Sequence, residues 1–234
     1  MTINITPACR SRPGKTSSLT LKPKTPTIMP LKHHTTKAAA QLLANQSRRA
    51  DIDARALSQA HHEIGRFLGY ELAETLELEK YPIQHCQGQR EGVRIKEEHR
   101  IAVVCLMRSG QYLADGLRDV LRQAPLFPVT PCRSSGLAEK DLVTILATRP
   151  HTVVIVDAVV NTGESLRPVL TQLASNTGAR LHVLAAVAPT PTAEKLAHDF
   201  PAVTFEYLRL SDNQYVGKGP TDTGDRVFGH VSQV

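Results

Sequence analysis

Apolar residues recur at intervals of three, four and seven positions through residues 51–78, where Glu and Arg separate them. This period predicts a long amphipathic helix. Farther along, short runs of Val, Ile and Leu alternate with helical patterns. The predicted strands cover residues 101–107, 152–156, 181–187 and 203–208, and the predicted helices cover 110–122, 165–175 and 192–199. Near-continuous apolar runs suit strands that are covered on both faces by crossover helices. The pattern therefore predicts an α/β fold with a mainly parallel, doubly wound sheet, followed by an ordered Gly-, Asp- and Thr-rich loop at 211–229.

The beginning of the chain has a different character. Residues 1–36 contain five prolines and little apolar periodicity, so they cannot bury enough surface to offset the entropy of ordering. We expect a disordered basic leader at 1–36 and one domain at 37–234. Residues 1–50 hold nine basic residues and no Asp or Glu, which leaves 19 basic and 22 acidic residues in the remainder. The net charge of +6 therefore gives no indication of a basic groove on the domain. We expect a cytoplasmic protein, and an organellar one if the leader acts as a transit peptide.

Composition argues against several classes of protein. No apolar stretch is long enough for a membrane span, and aromatic residues, at 4%, are too few for base-stacking platforms on nucleic acid. The four cysteines form no CxxC pair, which favours a reducing compartment without disulfides or a zinc site. Histidines are paired at 33–34 and 61–62, but adjacent residues on a helix point in different directions. We therefore expect no protein-held metal.

Residues 153–165 carry the most informative motif. A buried strand ends at Asp157 and passes through a short loop into a helix by way of Thr162-Gly163-Glu164-Ser165. Ligands of open α/β sheets bind beyond the carboxyl ends of the strands, and a helix N-terminus suits a phosphate. Gly163 lets the backbone approach such a ligand, and Asp157 is placed to accept hydrogen bonds from ribose hydroxyls. The plainer interpretation is that Thr162 caps the helix and Asp157 ends a strand. The motif is neither a Walker loop nor a Rossmann fingerprint.

This motif resembles the phosphoribosyl pyrophosphate (PRPP) site of the type I phosphoribosyltransferases, with Ala158 where many members have a second acid. Other segments resemble the uracil phosphoribosyltransferases in particular. They are Glu63–Glu71, Met107–Gly110, Ala114–Leu117, Arg133 and the run from Tyr215 to Gly229. Together they span about residues 48–230 in the family's order. The resemblance implies the type I phosphoribosyltransferase fold, with residues 211–229 as a C-terminal base-binding segment. It also implies an enzyme that converts uracil and PRPP to UMP and pyrophosphate.

The resemblance also implies roles for individual residues. Arg133 and Asp222 would be catalytic. The residues implied for PRPP are Arg108, Arg133, Asp157, Ala158, Val159, Val160, Asn161, Thr162, Gly163, Glu164, Ser165 and Asp222. The residues implied for uracil are Val216, Thr221, Asp222 and Thr223. Magnesium would neutralise the diphosphate. The resemblance further implies a homo-oligomer, dimer or tetramer, and leaves GTP open as an allosteric ligand.

Three departures from the family pattern bear on activity. Glu164 puts a carboxylate at the phosphate loop, and Thr221 replaces a glycine near the base. Residues 134–149 lack the two tyrosines of the family's mobile loop, so closure over the diphosphate would be compromised. These departures support a second hypothesis, a catalytically weak homologue that binds PRPP or nucleotide as a regulator. A different acceptor base is a third hypothesis.

Overall fold

The computed structural model describes residues 30–214, 217 and 221–230. Its strands are β1 (Leu31–His33), β2 (Leu78–His85), β3 (Gly88–Ile95), β4 (Ile101–Leu106), β5 (Leu126–Val129), β6 (Thr152–Val159), β7 (Arg180–Pro189) and β8 (Val203–Ser211). Its helices are α1 (Ala38–Ser47), α2 (Ala54–Ala73), α3 (Gln111–Arg118), α4 (Glu139–Ala147), α5 (Leu166–Asn176), α6 (Thr190–Asp199) and α7 (Thr223–Phe228). Within the described ranges, no helix has both the length and the apolar character needed to cross a bilayer.

Six strands form one parallel sheet in the order β1-β8-β7-β6-β4-β5. The chain runs from β4 out to β5 at one edge and then returns to β6 on the other side of β4. This reversal makes the carboxyl ends of β4 and β6 the switch point, where open α/β sheets bind ligands. The predicted parallel α/β sheet is confirmed. Strands β2 and β3 form a separate antiparallel hairpin.

The two faces of the sheet bury separate apolar clusters, because successive strand residues point to opposite sides. On β4, Ile101, Val103 and Cys105 pack with α2 and α3, whereas Ala102 and Val104 pack with α5. All five residues are fully buried. This double burial explains why the strand sequences show unbroken apolar runs instead of alternation.

Helices α2 and α3 lie unusually close together because glycine occupies their contact. A side chain at Gly65 would collide with the carbonyl oxygen of Leu113, and one at Gly116 would collide with that of His62. Helix α2 begins where Asp53 accepts a hydrogen bond from the Ala56 amide at 2.8 Å. The buried seam holds α3, and the strand exit before it, in a fixed position.

Three segments differ from the expectations. The expected disordered leader extended to residue 36, but Leu31–His33 pairs with Phe205 to Tyr207 of β8 as an edge strand. Residues 1–29 of that leader lie outside the described part. The expected loop at 211–229 contains helix α7, where the Asp222 side chain accepts the Asp225 amide. In the segment compared with a mobile loop, residues 139–147 form helix α4.

Candidate active site

An open cleft of about 370 Å³ lies beyond the carboxyl ends of β4 and β6. Its lining includes the residues that follow β4, the loop from β6 to α5, and the start of α7. Most of the residues predicted for PRPP therefore meet in one place. Those that line the cleft are Arg108, Arg133, Asp157, Val159, Val160, Asn161, Thr162, Gly163, Glu164, Ser165 and Asp222.

Asp157 is the acid at the centre of this cleft. Its Oδ1 accepts hydrogen bonds from the Ser109 hydroxyl at 2.5 Å and from the Ala158 amide at 2.7 Å. Burial raises the pKa of Asp157 to about 6, these hydrogen bonds oppose the rise, and the charge of Asp222 adds to it. The carboxylate is therefore held in one orientation, and its charge is poorly solvated. Both features favour a hydrogen bond from a hydroxyl group of a ligand.

The loop after Asp157 turns through Gly163, whose φ is 77°. A side chain there would be strained and would lie 3.2 Å from the Leu196 side chain. Helix α5 then begins with Ser165 at its N-cap position, and the Ser165 side chain makes no capping hydrogen bond. The Leu166 and Arg167 amides donate to the Gly163 carbonyl oxygen, while Ser165 and the loop before it line the cleft at the N-terminus of α5, a position that suits a phosphate.

The plainer interpretation of this motif fits the geometry in part. Thr162 Oγ1 accepts the Glu164 amide at 3.4 Å just before α5, although the N-cap position itself belongs to Ser165. Asp157 does not end its strand, because β6 continues to Val159. Local capping therefore explains Thr162 but not the acid.

Arg108 joins the cleft to the C-terminal helix. Its guanidinium donates to Asp225 Oδ1 at 2.6 Å and lies 3.0 Å from His230 Nδ1. Asp222 accepts the Asp225 amide at 2.9 Å, so the cap of α7 and its ion pair are adjacent. Sequence reasoning missed the contacts of Ser109, Asp225 and His230, although Ser109 and Asp225 stood inside the quoted motifs.

Arg133 lines an exposed part of the cleft near Glu164. Its Nη1 is 3.9 Å from Glu164 Oε2, and the two side chains are 80% and 64% exposed. The loop that carries it is closed by paired backbone hydrogen bonds of 2.7 Å between Cys132 and Gly136. Hydrogen bonds from Ser134 and Ser135 lower the pKa of the Cys132 thiol to about 6. Arg133 is thus supported by its loop backbone and not by close side-chain contacts.

The remaining predicted residues differ in placement. Thr223 lines the cleft, whereas Ala158 is fully buried and Thr221 is not part of the lining. Val216 lies outside the described residues. Asp157 and Asp222 offer carboxylate oxygens close enough for the charge of one to affect the pKa of the other. Such oxygen donors fit magnesium, which binds through one or two carboxylates together with phosphates.

A second group of possible metal ligands lies away from the cleft, between β1, β8 and α2. His34 Nε2 is 2.7 Å from Glu206 Oε1, and His34 Nδ1 is 3.9 Å from Glu71 Oε2. Lys37 Nζ contacts Glu71 at 2.5 Å, so a cation already balances part of this charge. His34, which was expected to lie in a disordered tail, is a buried member of the fold.

A parallel sheet wound on both faces, with an acid and a Thr-Gly-x-Ser loop at its switch point, defines a type I phosphoribosyltransferase. Comparison of the sequence with known families identifies the family within this class. The family model for uracil phosphoribosyltransferase matches residues 34–230, and the chain belongs to this family.

Individual relatives are distant. The uracil phosphoribosyltransferase of Thermococcus sibiricus is 28% identical over 196 residues, covering 80% of this chain and 84% of the relative. That of Pyrococcus furiosus is 25% identical over 201 residues, covering 82% and 87%. The solved structure of the AQ2163 protein from Aquifex aeolicus superposes with a TM-score of 0.67 at 18% identity, covering 87% of this chain and 100% of that one. This last likeness concerns the fold alone.

Proposed function

We propose that the protein transfers ribose 5-phosphate from PRPP to a ring nitrogen of uracil, which yields UMP and pyrophosphate. The observation that carries the proposal is the arrangement of Asp157. Its carboxylate is fixed by Ser109 beside the Gly163 turn, so a ribose acceptor and a phosphate loop share one cleft. The names of the family and of its relatives support uracil as the base.

Each part of PRPP has a partner in this proposal. The Thr162 to Ser165 loop binds the 5′-phosphate, and Asp157 accepts hydrogen bonds from the ribose hydroxyls. Arg108 and Arg133 face the diphosphate, to which guanidinium groups can donate two hydrogen bonds at once. In contrast to the expectation of no protein-held metal, Asp157 and Asp222 would hold magnesium, which would supply positive charge to the diphosphate when it is bound.

The proposed reaction requires little covalent chemistry from the protein. The bond from the anomeric carbon to the diphosphate oxygen breaks, the bond to the uracil nitrogen forms, and the displaced N–H proton leaves to water. Orientation of the two substrates and stabilisation of the departing diphosphate by Arg133 account for most of the rate. Thr223 and the neighbouring C-terminal segment receive the pyrimidine edge.

A second function is favoured by the exposed side of the cleft. Arg133 has only a long contact to Glu164, and helix α4 lies in the segment that was compared with the family's mobile loop. A homologue with these features could bind PRPP or nucleotide and act as a regulator, with little turnover.

One pair of measurements separates the two functions. Purified protein with magnesium, PRPP and labelled uracil is expected to form UMP, while calorimetry measures PRPP binding directly. Binding without UMP selects the regulator. Absence of both binding and product contradicts the assignment of the cleft.

A further inference from the structure

One histidine and two carboxylates meet where the first edge strand lies against α2 and β8, and we call His34, Glu71 and Glu206 the edge cluster. His34 directly follows β1, Glu71 lies in the last turn of α2, and Glu206 lies within β8. One nitrogen or oxygen atom from each side chain lies within 4.8 Å of the other two. None of the three residues lines the cleft. Three separate elements therefore bring potential metal ligands together at a second place in the fold.

Glu206 is buried with one of its two oxygens unsatisfied. The residue is 1% exposed, and its Oε1 lies 2.7 Å from His34 Nε2, so the carboxylate faces the histidine. Its Oε2 has no hydrogen-bond partner in the described part of the chain. A carboxylate that is removed from water with an oxygen unpaired costs folding free energy, which a bound cation would offset. The free coordination capacity of the edge cluster is therefore on its most buried member.

The histidine of the edge cluster is fixed by its backbone and by its ring. The His34 amide donates to the Tyr207 carbonyl oxygen at 3.1 Å, and the His34 carbonyl oxygen accepts the Lys37 amide at 2.9 Å. The imidazole packs edge-on against the Phe67 ring, with the centroids 5.3 Å apart. A side chain that is already held in place loses little conformational freedom when it binds a ligand. His33, the preceding residue, is exposed, so the two adjacent histidines differ in environment.

Glu71 forms the solvent side of the edge cluster. Its Oε1 contacts Lys37 Nζ at 2.5 Å, and its Oε2 lies 3.9 Å from His34 Nδ1. Lys37 thus occupies one oxygen of Glu71 and leaves the other directed at the histidine. Two carboxylates and one ammonium group leave an excess of one negative charge beside a neutral imidazole, which favours a further cation. Because the Glu71 side chain is 26% exposed, an ion can enter from solvent on this side.

We propose that His34, Glu71 and Glu206 bind a zinc ion. Tetrahedral zinc lies about 2.0–2.2 Å from nitrogen and oxygen ligands, which places two ligands about 3.4 Å apart. His34 and Glu206 need to separate slightly, and Glu71 needs to move inward from the helix surface. Water takes the fourth position. The imidazole nitrogen selects zinc over magnesium and calcium, which prefer oxygen ligands. The ion joins β1 to α2 and β8 and stabilises this edge of the sheet, apart from the proposed phosphoribosyl transfer.

The first test is calorimetric titration of the full chain with zinc chloride at neutral pH. Excess magnesium is present throughout, so that sites made of oxygen ligands alone are occupied. We expect one zinc ion to bind with a Kd of about 10 μM or tighter. At a free zinc concentration about 100 times the Kd, the melting temperature is expected to rise by about 5–10 °C. A weaker Kd or an unchanged melting temperature overturns the proposal, and His34 and Glu206 then form an ordinary buried pair.

Two variants connect zinc binding to the edge cluster. His34→Gln and Glu71→Gln each remove one ligand, so the Kd for zinc is expected to rise at least about tenfold in both. The matched controls are His33→Gln and Glu74→Gln, which change exposed residues close by in the sequence. Their Kd is expected to stay within about twofold of the wild-type value. An unchanged Kd in folded His34→Gln and Glu71→Gln contradicts the proposal.

Circular dichroism checks folding, because His34→Gln removes a hydrogen-bond partner of buried Glu206. If that variant does not fold, Glu71→Gln decides alone, since Glu71 is partly exposed and its substitution leaves the contact between His34 and Glu206 in place.

Hydrogen exchange locates the ion independently of substitution. Saturating zinc is expected to slow exchange of the His34 amide, which bonds to β8, at least about tenfold. Zinc binding without this protection overturns the proposal and places the ion elsewhere, for example at exposed His85 and Cys86, whose Nδ1 and Sγ atoms are 3.6 Å apart. None of these measurements uses PRPP or uracil, so a negative result leaves the proposed phosphoribosyl transfer unaffected.

Discussion

The two strand exits that flank the cleft are built in opposite ways. The exit of β6 is packed, because Asp157 has two hydrogen bonds to its Oδ1 and Gly163 turns against Leu196. The exit of β5 is open, because Arg133 is 80% exposed and its nearest acid is 3.9 Å away. A preorganised exit favours tight binding, whereas an open one can rearrange when a ligand arrives. The difference suggests that ligand binding and turnover can be altered separately.

The largest effect on ligand binding is expected when the acid of the packed exit is changed. Asp157→Asn keeps the shape of the side chain but removes the charged acceptor for ribose hydroxyls. We expect the Kd for PRPP to rise about 10- to 100-fold, because a hydrogen bond to a charged group contributes about 1.5–3 kcal/mol. Calorimetry measures the Kd, and thermal unfolding is expected to show no loss of stability. Normal PRPP binding in this variant would place the ribose elsewhere.

The same acid makes stability depend on pH. Its folded pKa of about 6 lies above the usual pKa of 3.8 for an aspartate, so the folded state retains the proton between these values. The wild-type free energy of unfolding, relative to Asp157→Asn, is therefore expected to fall as pH rises from about 4 to 6 and to level off above about 7. The change should be about 1–3 kcal/mol. Chemical denaturation of both proteins across this range measures it, and parallel curves would contradict it.

A change at the open exit should affect turnover more than binding. Arg133→Gln removes a cation assigned to the departing diphosphate, where charge develops in the transition state. We expect kcat to fall about tenfold while the Kd for PRPP changes less than about threefold. Steady-state kinetics and calorimetry give the two values, with Arg118→Gln as the control. An equal loss in both would mean that Arg133 acts mainly in binding.

Gly163→Ala tests the turn of the packed exit. A side chain at a φ of 77° costs about 1–2 kcal/mol, and its Cβ would meet Leu196 at 3.2 Å. We expect a lower melting temperature and a PRPP Kd about fivefold higher, because the loop amides move. Gly178→Ala is the control, since a Cβ at Gly178 has no neighbour within 4 Å. Equal effects of the two substitutions would remove the special role of Gly163.

The smallest effect is expected where the two exits meet. Glu164→Gln removes a carboxylate that is 64% exposed and close to Arg133. PRPP affinity should increase about twofold at low salt, because exposed charges interact weakly and are screened. Titrations at two salt concentrations measure this, with Glu74→Gln at the far end of α2 as the control. A weaker affinity in Glu164→Gln would show that the carboxylate assists the ligand.

The sequence predicts the packed exit well and the long-range contacts of the cleft poorly, for a physical reason. The strand, acid, glycine and hydroxyls of residues 153–165 are contiguous, so a local motif contains most of their geometry. The contact between Arg108 and Asp225 joins residues 117 positions apart, and no local pattern reports it. Helix α4 lay in a segment interpreted by analogy with a loop, which hid its own helical pattern.

The strands and the helix that the sequence did not predict have weak local sequence patterns. Strand β1 has three residues and gains its order from pairing with β8. In the hairpin of β2 and β3, cross-strand pairs such as Glu79 with Arg94 at 2.6 Å lie on exposed surfaces. Without a buried face, the hairpin sequence lacks the apolar alternation by which strands are recognised. Helix α1 begins after Lys37 without a side-chain cap.

The contact of Arg108 with Asp225 and His230 has a thermodynamic consequence. The guanidinium cannot keep its hydrogen bonds to Asp225 and His230 while giving the same N–H groups to an incoming anion. A diphosphate that takes these N–H groups therefore binds at the cost of releasing α7 from Arg108. Ligand binding and release of α7 belong to one equilibrium, and loss of the Asp225 carboxylate would shift both together.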